Sequence, residues 1–318
     1  MGKLQGVIAA AATPVTDNFS IDRDRLVSHC RWLLAEGGCD GINLLGTTGE
    51  ATSFSTGARI DAMRGIASSG LPLDRFMVGT GAAALEDAVR LTAEAKALGF
   101  AGALLLPPFY YKDIAADGLV AYVNAVIERV GPAGLKLYLY HFPQNSGVPF
   151  GIDVVTRLRN FYPDVILGLK DSSGDLEYAA ALTRSLEKFD VFPSAEASLG
   201  RARELGFAGC ISATANVTGP FAQRAWSGTG EDAEKDLVQA VEIRAAIARF
   251  PLVAAVKASL ALLTRESNWR TVMPPLSPLS GDQVGALKHA LSATALMARG
   301  SLEQEIQFTN NPRPNLYG

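Results

Sequence analysis

Apolar and polar positions along this chain follow two alternating periods. Short apolar runs occupy 6–13, 41–45, 76–79, 102–106, 135–140, 165–170, 191–194 and 209–213. Between them, apolar residues recur with helical spacing. Leu26, Cys30, Leu33 and Leu34 stand at i, i+4, i+7 and i+8, and Leu119, Val123, Val126 and Ile127 repeat that pattern. Gly37-Gly38, Gly99 and Gly206 punctuate segment ends, where left-handed caps belong. Eight strand-like runs, each followed by a helical pattern, predict an α/β chain folded as a (β/α)8 barrel. An open doubly wound sheet would place a three-glycine dinucleotide loop after the first run, and Thr13-Pro14-Val15-Thr16 contains no glycine. After Pro220 the alternation stops. Helical patterns then cover 232–249, 252–263 and 281–299, broken by Phe250-Pro251 and by 274–278. The expected organisation is a barrel over 1–220, a C-terminal helical extension over 221–300 and a polar tail over 301–318.

Composition narrows the function classes. The 318 residues suffice for one barrel with an appendage. A net charge of −3, with 19% charged residues, supplies no basic field for nucleic acid and no polybasic patch for membranes. No apolar stretch is long enough to span a bilayer. The opening lacks the pattern of a secretory leader, and Gly6 stands where a myristoylation signal wants Ser or Thr. Cys30, Cys39 and Cys210 are odd in number and lie among apolar or small residues, as reduced thiols do. The expectation is a soluble cytoplasmic protein without a metal, since no Cys or His cluster has metal-ligand spacing.

Candidate chemistry collects where strands end, the functional face of such barrels. The sixth run, Val165-Ile166-Leu167-Gly168-Leu169-Lys170, ends in an amine before a polar turn. A lysine there either reaches solvent or is buried, and burial favours loss of its proton. An uncharged amine at a strand mouth can attack a carbonyl to form a Schiff base. In the fifth run Tyr138 and Tyr140 share a face, with Tyr140 nearer the mouth. A phenol beside a Schiff-base lysine can carry the protons that carbinolamine formation and collapse require, and Thr47 and Tyr111 offer hydroxyl partners. Tyr110-Tyr111 also fits plain packing at the rim. His141, one residue beyond Tyr140, should point the other way, as a structural histidine. Gly46-Thr47-Thr48-Gly49-Glu50 reads either as a carboxylate or phosphate cradle or as a capped turn. Ser194 and Glu196, after the seventh run, either bind hydroxyls or open a solvated helix. Lys257, in a helical segment outside the strands, reads as a lysine snorkelling to water.

Three motifs, Gly46-Thr47-Thr48-Gly49-Glu50, Tyr140-His141-Phe142-Pro143 and Gly168-Leu169-Lys170-Asp171-Ser172-Ser173-Gly174, occur in this order with thirty residues between Tyr140 and Lys170. Together they resemble the dihydrodipicolinate synthase / N-acetylneuraminate lyase family of class I aldolases, over essentially the whole chain. The resemblance implies a (β/α)8 barrel with C-terminal helices, assembled as a homotetramer of two tight dimers. It implies that Lys170 forms an imine with pyruvate or another 2-oxo acid, with no separate cofactor. Tyr140 would be the general acid/base, and Thr47 and Tyr111 would complete a proton relay, Tyr111 reaching into the neighbouring subunit's site. Thr48 and its loop amides, Gly49 included, would hold the substrate carboxylate, and Ile211 would line the pocket.

One position departs from the family pattern. Members that condense pyruvate with aspartate semialdehyde place an arginine five residues after the catalytic tyrosine, and here that residue is Asn145. An amide suits hydroxyls better than a carboxylate. The expectation is therefore an aldolase or dehydratase acting on a 2-oxo-3-deoxy sugar acid. Dihydrodipicolinate synthase itself is the alternative, and a non-catalytic 2-oxo acid sensor is the alternative of another class.

Overall fold

The computed structural model describes residues 4–298; the tail expected over 301–318 lies outside them. Eight strands, β1 (Gly6–Ala10), β2 (Gly41–Leu44), β3 (Phe76–Gly79), β4 (Gly102–Leu105), β5 (Leu137–His141), β6 (Ile166–Asp171), β7 (Asp190–Pro193) and β8 (Gly209–Ser212), form one sheet. The paired strands are parallel and run in the order β7-β6-β5-β4-β3-β2-β1-β8. Between β7 and β8 the amide of Ala208 donates to the Val191 carbonyl at 2.9 Å, leaving the barrel nearly closed. The chain is a (β/α)8 barrel, as its alternating periods require.

The strands are buried almost throughout, because side chains of both faces meet apolar partners. Ile8, Ala10, Met77, Leu104, Tyr138, Tyr140, Phe192 and Ile211 pack inside the barrel. Val7, Ala9, Ile42, Leu44, Val78, Leu139 and Leu169 face the surrounding helices. Helix ends follow local chemistry. Asp22, Ser55 and Asp175 cap the helices that follow them, each side chain accepting from a first-turn amide. Gly99 closes its helix in the left-handed conformation at φ 84°.

The helix after β8, Ala215–Ser227, runs through Pro220 instead of ending there. A proline removes one backbone donor but does not stop a helix whose flanking residues are buried. The alternation therefore reaches Ser227, beyond the break read from sequence. The extension begins at Gly230–Ile247, followed by Leu252–Thr264 and Gly281–Ser292. Among the described residues, no single helix is long and apolar enough to cross a membrane.

Candidate active site

Lys170 is the penultimate residue of β6 and is itself only 3% exposed. Its register partner across the sheet is Tyr140 on β5. The lysine Nζ lies 4.3 Å from the centre of the Tyr140 ring. Beyond the ring, the Tyr140 hydroxyl meets Thr47 Oγ1 at 3.2 Å and accepts from Ser172 Oγ at a long 3.5 Å. Burial alone would raise the phenol pKa. The positive charge of Lys170 and the hydrogen bonds from Ser172, Thr47 and Lys170 outweigh it, so Tyr140 sits below the ordinary tyrosine value. Gly168, one turn of the pleat earlier, leaves no room for a side chain: a Cβ there would stand 2.1 Å from the Asp190 carbonyl oxygen.

The loop after β2 is held from behind. Glu50 adopts a left-handed backbone at φ 55°, and one carboxylate oxygen accepts the Met273 amide at 2.6 Å while the other pairs with Lys257. Both side chains of that pair are fully buried. Lys257 is thus no snorkelling lysine: the C-terminal helices cover it, and Glu50 satisfies its charge. With Glu50 turned inward, the amides of Thr47 and Thr48 are left without an acceptor among the described residues. Thr48 faces the cavity above Lys170.

That cavity has a volume of about 520 Å³ and is lined by Thr47, Thr48, Tyr140, Lys170, Ser172, Ser194, Ile211 and Asn145, among others. A smaller space of about 310 Å³ adjoins it, sharing Thr47, Tyr140, Phe142 and Asn145. Another hollow, near Tyr138 and Asp190, lies at the opposite mouth of the barrel. Burial pushes the Tyr138 phenol up, away from proton-transfer range, so that end offers no comparable chemistry.

Lys170, Tyr140, Thr47, Thr48, Asn145, Ser194 and Ile211 therefore meet as sequence expected. Three others do not face this space. Gly49 packs on the segment that follows β1, where Thr13 Oγ1 donates to its carbonyl at 2.8 Å. Tyr111 is 72% exposed, its ring meets Tyr110 edge-on, and it lines neither of the two spaces. Glu196 is fully buried and is not among the cavity's lining residues, so it neither opens a solvated helix nor reaches substrate hydroxyls. One of its oxygens accepts from Ser212, Thr214 and Thr218 at 2.9, 2.6 and 2.6 Å, and the other from Arg244 at 3.2 Å.

Sequence reasoning missed Ser172 and Arg244 as cavity residues. Ser172 stands two positions after Lys170, on the same turn as the motif that drew notice. Arg244 interrupts the apolar face formed by Ile243, Ala246 and Ile247, a signal that only packing makes specific. His141 faces outward as expected. Its Nδ1 accepts the Phe150 amide at 3.0 Å, its ring stacks on Tyr178, and burial lowers its pKa to about 4.

Fold and site together define a (β/α)8-barrel lyase with a lysine at the mouth of its sixth strand. The chain belongs to the dihydrodipicolinate synthetase family, whose model matches residues 3–294. A DapA-like lyase of Chloroflexus aurantiacus is 32% identical over 299 residues, covering 91% of this chain and 97% of the relative. The crystal structure of dihydrodipicolinate synthase from Agrobacterium tumefaciens str. C58 superposes with a TM-score of 0.84 at 30% identity, covering 91% and 99%. The E. coli K12 protein YagE, solved in complex with pyruvate, shares the fold at a TM-score of 0.81 and 22% identity, covering 92% and 98%.

Proposed function

We propose that this lyase works through an imine between Lys170 and a 2-oxo acid, with a 2-oxo-3-deoxy sugar acid as its substrate. The observation that carries the reading is the buried Lys170 Nζ set 4.3 Å from the Tyr140 ring, whose hydroxyl continues to Thr47 and Ser172. The free amides of Thr47 and Thr48 receive the C1 carboxylate. The amine attacks C2 and passes one of its protons to the carbonyl oxygen, and the Tyr140 phenol gives the second, so that the oxygen leaves as water and a cationic imine remains. The cationic imine then accepts the electron pair released at C3. In an aldolase the pair comes from the C3–C4 bond as the C4 hydroxyl loses its proton. In a dehydratase it comes from the C3–H bond and expels the C4 hydroxyl. No separate cofactor takes part in either route.

Asn145 lines both adjoining spaces and brings amide donors and acceptors to the substrate tail. Tyr111, exposed beside Tyr110, completes the relay of a neighbouring subunit in a homotetramer, and the protein works in the cytoplasm. Condensation of pyruvate with aspartate semialdehyde is the second reading, favoured by the 30% identity to the Agrobacterium synthase and opposed by Asn145. Borohydride reduction in the presence of pyruvate tests the common step. The expected result is a reduced pyruvyl adduct mapped to Lys170, and an unmodified Lys170 at saturating pyruvate sinks both readings. Turnover of sugar acids against aspartate semialdehyde then separates them.

A further inference from the structure

Arg244 comes from the C-terminal extension, far outside the barrel strands in sequence, yet it lines the same cavity as Lys170. Its side chain is 24% exposed, while its partner Glu196 is fully enclosed. Among the described residues only its Nη1 finds partners. It meets Glu196 at 3.2 Å, Ser212 Oγ at 3.1 Å and Thr214 Oγ1 at 3.0 Å. Nε and Nη2, the edge that grips a carboxylate side-on, have no hydrogen bond among the described residues.

Elsewhere this chain uses that very edge for carboxylates. Arg64 holds Glu94 through Nε and Nη2, Arg201 holds Glu204, and Arg224 holds Asp236. A planar fork matches two carboxylate oxygens, and charge assistance makes the contact strong. Glu196 and its hydroxyl partners fix one end of the Arg244 guanidinium, so this cavity-lining side chain has little rotamer freedom left to lose when its free edge takes a ligand. The C1 carboxylate of a 2-oxo acid already has the amides of Thr47 and Thr48. A cavity of about 520 Å³ also exceeds what a three-carbon acid fills.

We infer that Arg244 anchors a second carboxylate, at the far end of the substrate, so that the preferred substrate is a dicarboxylic 2-oxo acid. This rests on the imine reading and narrows its substrate class. A carboxylate fits better than a phosphate, because one guanidinium already paired with Glu196 under-compensates a dianion. Asn145 and Ser194 remain free for hydroxyls between the two acid ends.

Competition in the borohydride reaction tests the inference without knowing the natural substrate. Unbranched 2-oxo diacids of five to seven carbons compete with pyruvate for Lys170, alongside 2-oxo monoacids of equal length. The intact wild-type chain should favour the best diacid over its monoacid partner by about 10- to 100-fold, the range of a charge-assisted contact. Arg244→Lys keeps a cation for Glu196 but loses the fork, and should cut the preference at least fivefold. Arg244→Gln combined with Glu196→Gln removes both charges together and should abolish it, while pyruvate labelling persists as evidence of folding. A merely structural Arg244 would lower diacid and monoacid labelling alike, leaving their ratio unchanged, which overturns the inference. So does a phosphate-ended 2-oxo acid that outcompetes every diacid. Failure of pyruvate itself to label wild type overturns the imine reading as well, whereas intact labelling without diacid preference overturns the anchor alone.

Discussion

Tyr140 and Lys170 are register partners on adjacent strands, and the lysine nitrogen lies 4.3 Å from the centre of the tyrosine ring. A pair fixed by backbone register cannot drift apart without disturbing β5 and β6. Tyr140→Phe keeps the ring beneath the amine and removes only the transferable proton. It should lower kcat by about 10²- to 10⁴-fold, the usual worth of a positioned general acid/base. Borohydride labelling by pyruvate should slow but still reach completion. Labelling at the wild-type rate in this variant would exclude the phenol from imine formation.

Thr47 tunes the same phenol. Its hydrogen bond at 3.2 Å is one of the groups holding the Tyr140 pKa below the ordinary tyrosine value. A general acid stops working as pH rises through its pKa. Thr47→Val should therefore move the alkaline limb of the rate profile to higher pH, because the phenol loses a group that favours its ionised form. It should also lower kcat by about tenfold, as one link of the relay is lost. A profile of rate against pH between neutrality and pH 10 reads the shift, and a limb moving downward would contradict this account.

The fold and the centre of the site were legible in the sequence for one reason. Barrel strands are short, buried runs, and Thr47, Tyr140 and Lys170 lie at the ends of such runs. Residues whose roles depend on the C-terminal extension were not legible. Lys257 meets Glu50 across 207 positions of sequence, and no local pattern tells a covered lysine from a snorkelling one. Glu196 begins a short 3-10 helix, Glu196–Arg201, which normally marks solvent, until the helix Gly230–Ile247 brings Arg244 over it. Pro220 marked an apparent stop because a proline's cost is local, whereas burial of Val217, Phe221 and Ala222 around it acts on the whole helix.

The Glu50–Lys257 pair should stabilise the fold only while both members are present. Burial pushes the Lys257 pKa down, and the Glu50 charge pulls it part of the way back. Lys257→Met strands a carboxylate with no exposure, and should cost about 3–5 kcal/mol. Glu50→Gln in the same chain should recover at least half of that, since no unpaired charge remains. Urea melts of the wild type, both single variants and the double variant close the cycle. Additive losses would mean that the two groups do not act as a pair. The Thr47–Thr48 cradle should also loosen in the single variant, raising the KM for pyruvate more than it lowers kcat.

Two buried histidines set the acid limit of stability. His29 is enclosed beside Trp269, and its Nε2 meets Asn216 Oδ1 at 2.8 Å. Burial is the main cause of its lowered pKa, about 4; nearby Arg25 adds to the lowering, and the Asn216 hydrogen bond opposes it. His141 also titrates near pH 4, chiefly through burial. An unfolded histidine binds its proton near pH 6.5, so between pH 6.5 and about 4 the unfolded chain holds more protons than the native one. Stability is then fully present above pH 6.5 and falls as pH drops, by up to about 1.4 kcal/mol per pH unit for each histidine. The total reaches roughly 3 kcal/mol for His29 and less for His141, whose surroundings screen its charge more. Asp40 and Asp171, raised by burial, work in the opposite sense and offset part of the loss at the acid end. Urea midpoints between pH 7 and pH 5 measure the slope. His141→Gln should reduce it, because one neutral base no longer titrates, and an unchanged slope in that variant would show that the His141 ring takes up its proton equally in both states.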